Sequence, residues 1–208
     1  MPNIIRNNLK ARPCLRIPRA LSYTPSMRKL IQQYAKDLTA GRLESGYEHS
    51  FRVYHLTREI GEEASYDDEV LHAACFLHDI EMSKGHPRSS ADKAEAILHE
   101  TGFVPDKIAL VVDAILNHMP EGSPSTTEAK LLFDANLLDS IGAVGLARLA
   151  AGATVWYHYS TMKEVLDYIT RELSFTKKLH FDTSRKLAEE KIAFTNAAIE
   201  QFIKELHL

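Results

Sequence analysis

The sequence predicts an all-α protein, a helical bundle with a C-terminal helical extension. Apolar residues recur almost throughout at three- and four-residue spacing, the interval at which a helix returns to one face. No stretch shows the period-two alternation of a half-buried strand. Residues that start and stop helices punctuate these segments from Pro25-Ser26 to Asp182-Thr183.

Each element follows from local chemistry. Pro25-Ser26 opens a first helix carrying Leu30, Ile31, Tyr34 and Leu38, which stops near Gly41. A second runs from about Ser45 to Ala64 with Val53, Leu56 and Ile60 on its apolar face. Asp67 or Asp68 can accept hydrogen bonds from free backbone N–H groups and so cap a third, through Val70, Leu71, Ala74, Leu77 and Ile80. The stretch from Glu81 to Pro87 reads as a loop. Ser89 or Ser90 caps the next helix, and Gly102 supplies the left-handed residue that ends it. Pro105 suits the first turn of a helix with Ile108, Val111, Val112 and Ile115, stopping before Pro120. After the loop Gly122-Ser123-Pro124-Ser125, Thr126 begins a long helical region through Leu149. Two amphipathic helices fill Thr161 to Leu208.

With 208 residues, the chain can bury roughly 70% of its unfolded surface without staples. We divide it into a flexible N-terminal segment (1–25), a bundle (26–160), and C-terminal helices (161–208) packed on the same domain. A net charge of −3 offers no global attraction to nucleic acid or an anionic membrane, and no apolar run reaches the roughly 20 residues of a span. Two cysteines, Cys14 and Cys75, imply no disulfide framework and fit a reducing, cytoplasmic compartment. Arg6, Lys10, Arg12, Arg16 and Arg19 make the first 22 residues basic, but Pro13 and Pro18 interrupt an amphipathic leader, so a loose tail is favoured over a targeting segment.

The residues that carry chemistry begin with Leu77-His78-Asp79-Ile80 at the end of an apolar helix. A buried aspartate beside a histidine is costly unless something offsets its desolvation. A divalent cation does so, accepting imidazole nitrogen and carboxylate oxygen together. Upstream, His49 lies on the inner side of a helix in Tyr47-Glu48-His49-Ser50-Phe51-Arg52-Val53. Downstream, Asp134 lies in Leu131-Leu132-Phe133-Asp134-Ala135-Asn136-Leu137-Leu138-Asp139. Two imidazoles and two carboxylates from separate helices form a mixed nitrogen–oxygen shell with room for water and substrate.

At these residues the chain resembles the HD superfamily, whose pattern is His, then His-Asp, then a distant Asp. It looks like the small bacterial-type hydrolases of that superfamily, on further matches: Arg52-Val53 after the first motif, His86-Pro87-Arg88-Ser89-Ser90-Ala91, a helix ending at His118, and the last motif with Gly142 and Arg148. The likeness covers about residues 26 to 205. It implies His49, His78, Asp79 and Asp134 as ligands of a divalent ion (Mn, Fe, Co, Ni or Mg), and metal-activated water attacking phosphorus in a small phosphate ester or nucleotide. Asn136 departs from the pattern, standing where the motif has its second acid.

Glu81, two residues past Asp79, is the candidate acid or base. His86 and His118 are read as substrate contacts or ligands of a second ion; Arg52, Lys84, Arg88 and Arg148 as cations that meet phosphate. Trp156-Tyr157-His158-Tyr159 is read as helix packing or a subunit contact, which leaves a homodimer open. No phosphate-cradling loop or dinucleotide fingerprint is present. Two other readings stand beside phosphate hydrolysis. One is non-phosphate metal chemistry, a nitrile hydratase or an iron oxygenase, the latter favoured by a second ion at His86 and His118. The other is a regulatory module that binds without turnover.

Overall fold

A computed structural model describes residues 23–83 and 85–207. The expectations for the basic segment 1–22 and for Lys84 lie outside the described residues. Among those described there are nine α-helices and no strand. They are α1 Pro25–Leu38, α2 Tyr47–Ile60, α3 Asp68–Leu77, α4 Arg88–Glu100, α5 Pro105–Leu116, α6 Thr127–Asp139, α7 Gly142–Val155, α8 Met162–Ser174 and α9 Asp182–Glu205. A 3₁₀ turn, Phe175–Lys178, joins the last two.

Four of their starts are capped by side chains. Thr24 accepts from the backbone N–H of Met27, Asp67 from Glu69 and Val70, Thr126 from Ala129. Thr161 and Glu164 close a reciprocal capping box on α8. The expected serine cap of α4 is not what forms. That helix begins two to three residues earlier, after Pro87, and Ser90 is buried within it. Its hydroxyl instead holds the backbone N–H of Glu81 at 3.0 Å.

The long helical region expected from Thr126 through Leu149 forms as two helices, bent by 85° at Ser140–Ile141. Gly142, at φ +78°, allows the break, since a side chain there would be strained. α6 is the central rod, lying against α2, α3, α5, α7 and α9. Its core residues Leu131, Leu132, Phe133 and Leu138 meet Phe76 and Leu77 of α3 and Ile115 of α5 in one cluster. A smaller cluster of Leu149, Ala153, Val165 and Ile169 ties α7 to α8. Among the described residues no single helix is long and apolar enough to cross a membrane; α6 with α7 passes only as a bent pair, and α6 is core. Cys75 is fully buried among apolar groups, which push its thiol up.

Candidate metal centre

Two helices end at this site in the same way. His78 follows the last residue of α3, and its ring nitrogen Nδ1 lies 2.8 Å from the Cys75 carbonyl three residues back. His118 follows α5, with Nδ1 at 2.5 Å from the Ile115 carbonyl, again three residues back. A carbonyl only accepts, so each Nδ1 carries the proton and donates. Each ring thereby satisfies a last-turn carbonyl that has no partner within its own helix. The negative ends of α3 and α5 thus point into one place, where they favour a cation.

The other two imidazoles are held in the same tautomer. His49, on the buried stripe of α2 with Val53, Thr57 and Ile60, donates Nδ1–H to Asp139 Oδ2 at 2.7 Å. His86, in the loop before α4, donates Nδ1–H to the Glu81 carbonyl at 3.2 Å. A neutral ring with its proton on Nδ1 offers Nε2 as a bare lone pair, the form in which an imidazole takes a metal ion. Burial holds His78 neutral, its pKa pushed down to about 3.

These four lone pairs converge on one carboxylate. His49 and His78 Nε2 lie 3.4 and 3.5 Å from Asp79 Oδ2. His86 and His118 Nε2 lie 3.2 and 3.5 Å from Asp79 Oδ1. Within each pair the nitrogens are 3.0 and 3.2 Å apart. Two acceptors face to face repel unless a cation is shared. Nitrogens each about 2.1 Å from one ion, at angles of about 90–100°, stand about 3.0–3.2 Å apart. His49, His78 and Asp79 therefore form one group that can hold a metal ion, and Asp79, His86 and His118 a second. Asp79 belongs to both.

Asp139 orients the first group from behind. It is buried, and besides His49 it meets Arg52 Nε at 2.8 Å and Arg148 at 3.0 Å. Burial alone would raise its pKa, but the His49 and Arg52 hydrogen bonds hold it well below the usual range. Such a carboxylate behind a ligating imidazole fixes the ring and raises its basicity.

Two sequence expectations are corrected. Asp134, expected as the fourth ligand, joins neither group. It is fully buried, and its carboxylate accepts from the backbone N–H groups of His180 and Phe181 and from His180 Nδ1, at 2.9–3.0 Å. The cause is helical phase: Asp134 is about 200° around α6 from Asn136, and Asn136 is the residue that faces the site. Glu81, expected to move a proton, pairs with Lys93 at 3.2 Å on the surface and does not line the cavity above Asp79. Its backbone carbonyl is what serves the site, through His86.

The expected cations are less available than their positions imply. Arg88 is exposed and pairs with Asp92. Arg52 and Arg148 are both engaged by Asp139, and Arg148 also donates to the carbonyls of Glu44 and Asp139. Of these, only Arg148 lines the cavity, a space of about 710 Å³ reaching from Asp79, His86 and Asn136 to Trp156, Tyr157 and Tyr168. The aromatic run is therefore a cavity wall as well as packing, which its composition did not reveal. Sequence reading also missed Arg42, which donates to the Asp79 carbonyl at 2.9 Å, and Asp139. Asp139 was legible in principle, being three residues after Asn136 and so on the same face.

The family model for the HD domain matches residues 46–141, the stretch that runs from the start of α2 to the end of α6 and holds every residue of both groups. A predicted HD superfamily hydrolase of an uncultured Thermotogales bacterium has the same fold, at a TM-score of 0.58 and 25% identity over 88% of this chain and 93% of that one. Residues 46–141 of the chain form an HD domain. This HD protein is also similar to YpgQ of Bacillus subtilis, an uncharacterized protein, at 27% identity over 197 residues, covering 89% of this chain and 95% of YpgQ. A structure of YpgQ in complex with ADP superposes with a TM-score of 0.69, at 27% identity over 86% of this chain and 95% of that one. Cyanamide hydratase DDI2 of Saccharomyces cerevisiae is 29% identical over 154 residues, 64% of this chain and 67% of that protein. The HD protein thus has the fold of superfamily hydrolases and a His/Asp cluster that can hold a metal.

Proposed function

We propose that this HD protein is a metal-dependent phosphohydrolase acting on a small phosphate ester or nucleotide. The observation that carries the reading is the convergence of four imidazole Nε2 atoms, in two pairs, on the two oxygens of Asp79. A divalent ion bound there supplies Lewis acidity, lowering the pKa of water toward about 7 and offsetting charge on a phosphoryl group.

The chain's own residues do the rest. His49, His78 and Asp79 hold one ion and Asp79, His86 and His118 have the arrangement for another. Asp139 keeps the His49 ring in the tautomer that leaves Nε2 free. Arg148, on the cavity wall between Asp79 and the aromatic residues, is the cation placed to meet a phosphate. Trp156, Tyr157 and Tyr168 offer flat surface to the rest of a nucleotide-sized molecule, in keeping with the ADP complex of YpgQ. The test is phosphate release from a panel of monoesters and nucleotides by protein stripped of metal and reloaded with Mn, Mg, Co or Fe. No release with any loaded ion would overturn the reading.

A second reading has its own support. The similarity to cyanamide hydratase DDI2 and the engagement of Arg52 and Arg148 by Asp139 both suit an uncharged substrate such as a small nitrile. Urea formed from cyanamide by the same reloaded protein, without phosphate release, would select it. The Asp79–His86–His118 group keeps iron oxygenase chemistry in view, and a coloured, iron-containing purified protein is its sign.

A further inference from the structure

From Leu131 to Ser140, α6 and its cap are buried at every residue except Asn136 and Ser140. Both line the cavity that reaches Asp79 and His86, so their partial exposure is exposure to that cavity. Their four-residue spacing puts them on one face. On the opposite side of the helix the Asp134 carboxylate is fully engaged by the main chain around His180. The rod that closes the site therefore presents an amide to it, not an acid.

The partner of that amide orients it. Asn136 Nδ2 lies 3.5 Å from the His118 carbonyl, the long limit of a hydrogen bond. The carbonyl accepts only, so the NH₂ faces it and Oδ1 is turned away from it. An amide oxygen is an uncharged donor of the kind that hard divalent ions take.

We propose that Asn136 Oδ1 is a neutral ligand of the metal centre, so that Asp79 is its sole carboxylate. The inference rests on the metal reading of the site. Four neutral imidazoles, one carboxylate and one amide sum to a single negative charge around cations of charge two. Affinity follows ligand charge, so this centre holds its ions loosely and exchanges them readily.

The test is direct titration of the full chain with Mn²⁺ and Co²⁺, following free Mn²⁺ by electron paramagnetic resonance and bound Co²⁺ by its visible absorption. Asn136→Asp is expected to bind Mn²⁺ about ten-fold or more tightly than wild type, and Asn136→Ala about ten-fold more weakly, with an altered Co²⁺ spectrum. Asp134→Asn serves as the control, with Mn²⁺ affinity per folded chain unchanged. Wild-type affinity and spectrum in Asn136→Ala would overturn the proposal, and so would weaker binding by Asn136→Asp. If Asn136→Asp does not fold, Asn136→Ala alone decides. Wild-type protein that takes up neither ion would bring down the metal reading itself, and this inference with it.

Discussion

His49 Nδ1 and Asp139 Oδ2 are 2.7 Å apart, one on α2 and the other at the end of α6. This bond decides which nitrogen of His49 is bare. It also joins the ligand to two arginines, because the same carboxylate holds Arg52 and Arg148. Asp139→Asn keeps the shape but removes the charge that orients the ring. Metal affinity is expected to fall about 10- to 100-fold, measured by titration of Mn²⁺ into the stripped variant. Leaving Arg148 partnered only by carbonyls is expected to lower stability by about 3 kcal/mol or more, read from urea unfolding.

Asp134 is a stability residue by its contacts. Asp134→Ala leaves the half-buried N–H groups of His180 and Phe181 without acceptors at the entry to α9. The expected loss is about 3 kcal/mol, seen as a lower urea midpoint, while metal bound per folded chain stays at the wild-type value. A drop in metal content with wild-type stability would reverse this assignment.

Glu81 and His118 separate in kinetics. With its carboxylate on Lys93, Glu81→Gln is expected to change kcat by less than about three-fold, whereas a general acid or base would cost 100-fold or more. His118→Ala removes a bare Nε2 from the second group and is expected to lose activity of that larger order. The assay is turnover of whichever substrate the phosphate or cyanamide screen identifies.

His72 makes stability depend on pH. It is buried between α1 and α3, accepting at Nε2 from Gln32 and donating Nδ1–H to Tyr23 Oη. Burial, with Arg28 nearby, pushes its pKa down to about 3. The unfolded chain therefore takes up a proton that the folded chain refuses. Its contribution is complete above about pH 6.5 and is lost as pH falls toward 3, at up to about 1.4 kcal/mol per unit. Urea unfolding at pH 7 and pH 5 should show the advantage of wild type over His72→Gln narrowing by about 2 kcal/mol.

Gly46 precedes the first turn of α2, and a Cβ there would stand 2.1 Å from the Arg42 carbonyl oxygen. Neither side of that clash is a flexible side-chain end. Gly46→Ala is expected to shift the start of α2, which carries His49, with a loss of about 2 kcal/mol and weaker Mn²⁺ binding together.

The pattern of apolar spacing and capping residues determined that this chain is helical, and roughly where each helix begins, because both signals are local to a turn. His78 and Asp79 were also legible, as a polar pair at the end of an apolar helix, and His49, His86 and His118 through the family resemblance that their motifs carry. What the local pattern could not decide was phase. Within Asp134-Ala135-Asn136-Leu137-Leu138-Asp139, the period alone does not say which face of a helix buried on all sides looks toward the other histidines. Only packing against α2, α3 and α9 turned Asp134 to the main chain at His180, Asn136 to the cavity and Asp139 to His49. The break at Gly142, the aromatic wall and the surface pairing of Glu81 arose likewise from contacts between segments far apart in the chain, where no short window of sequence carries the information.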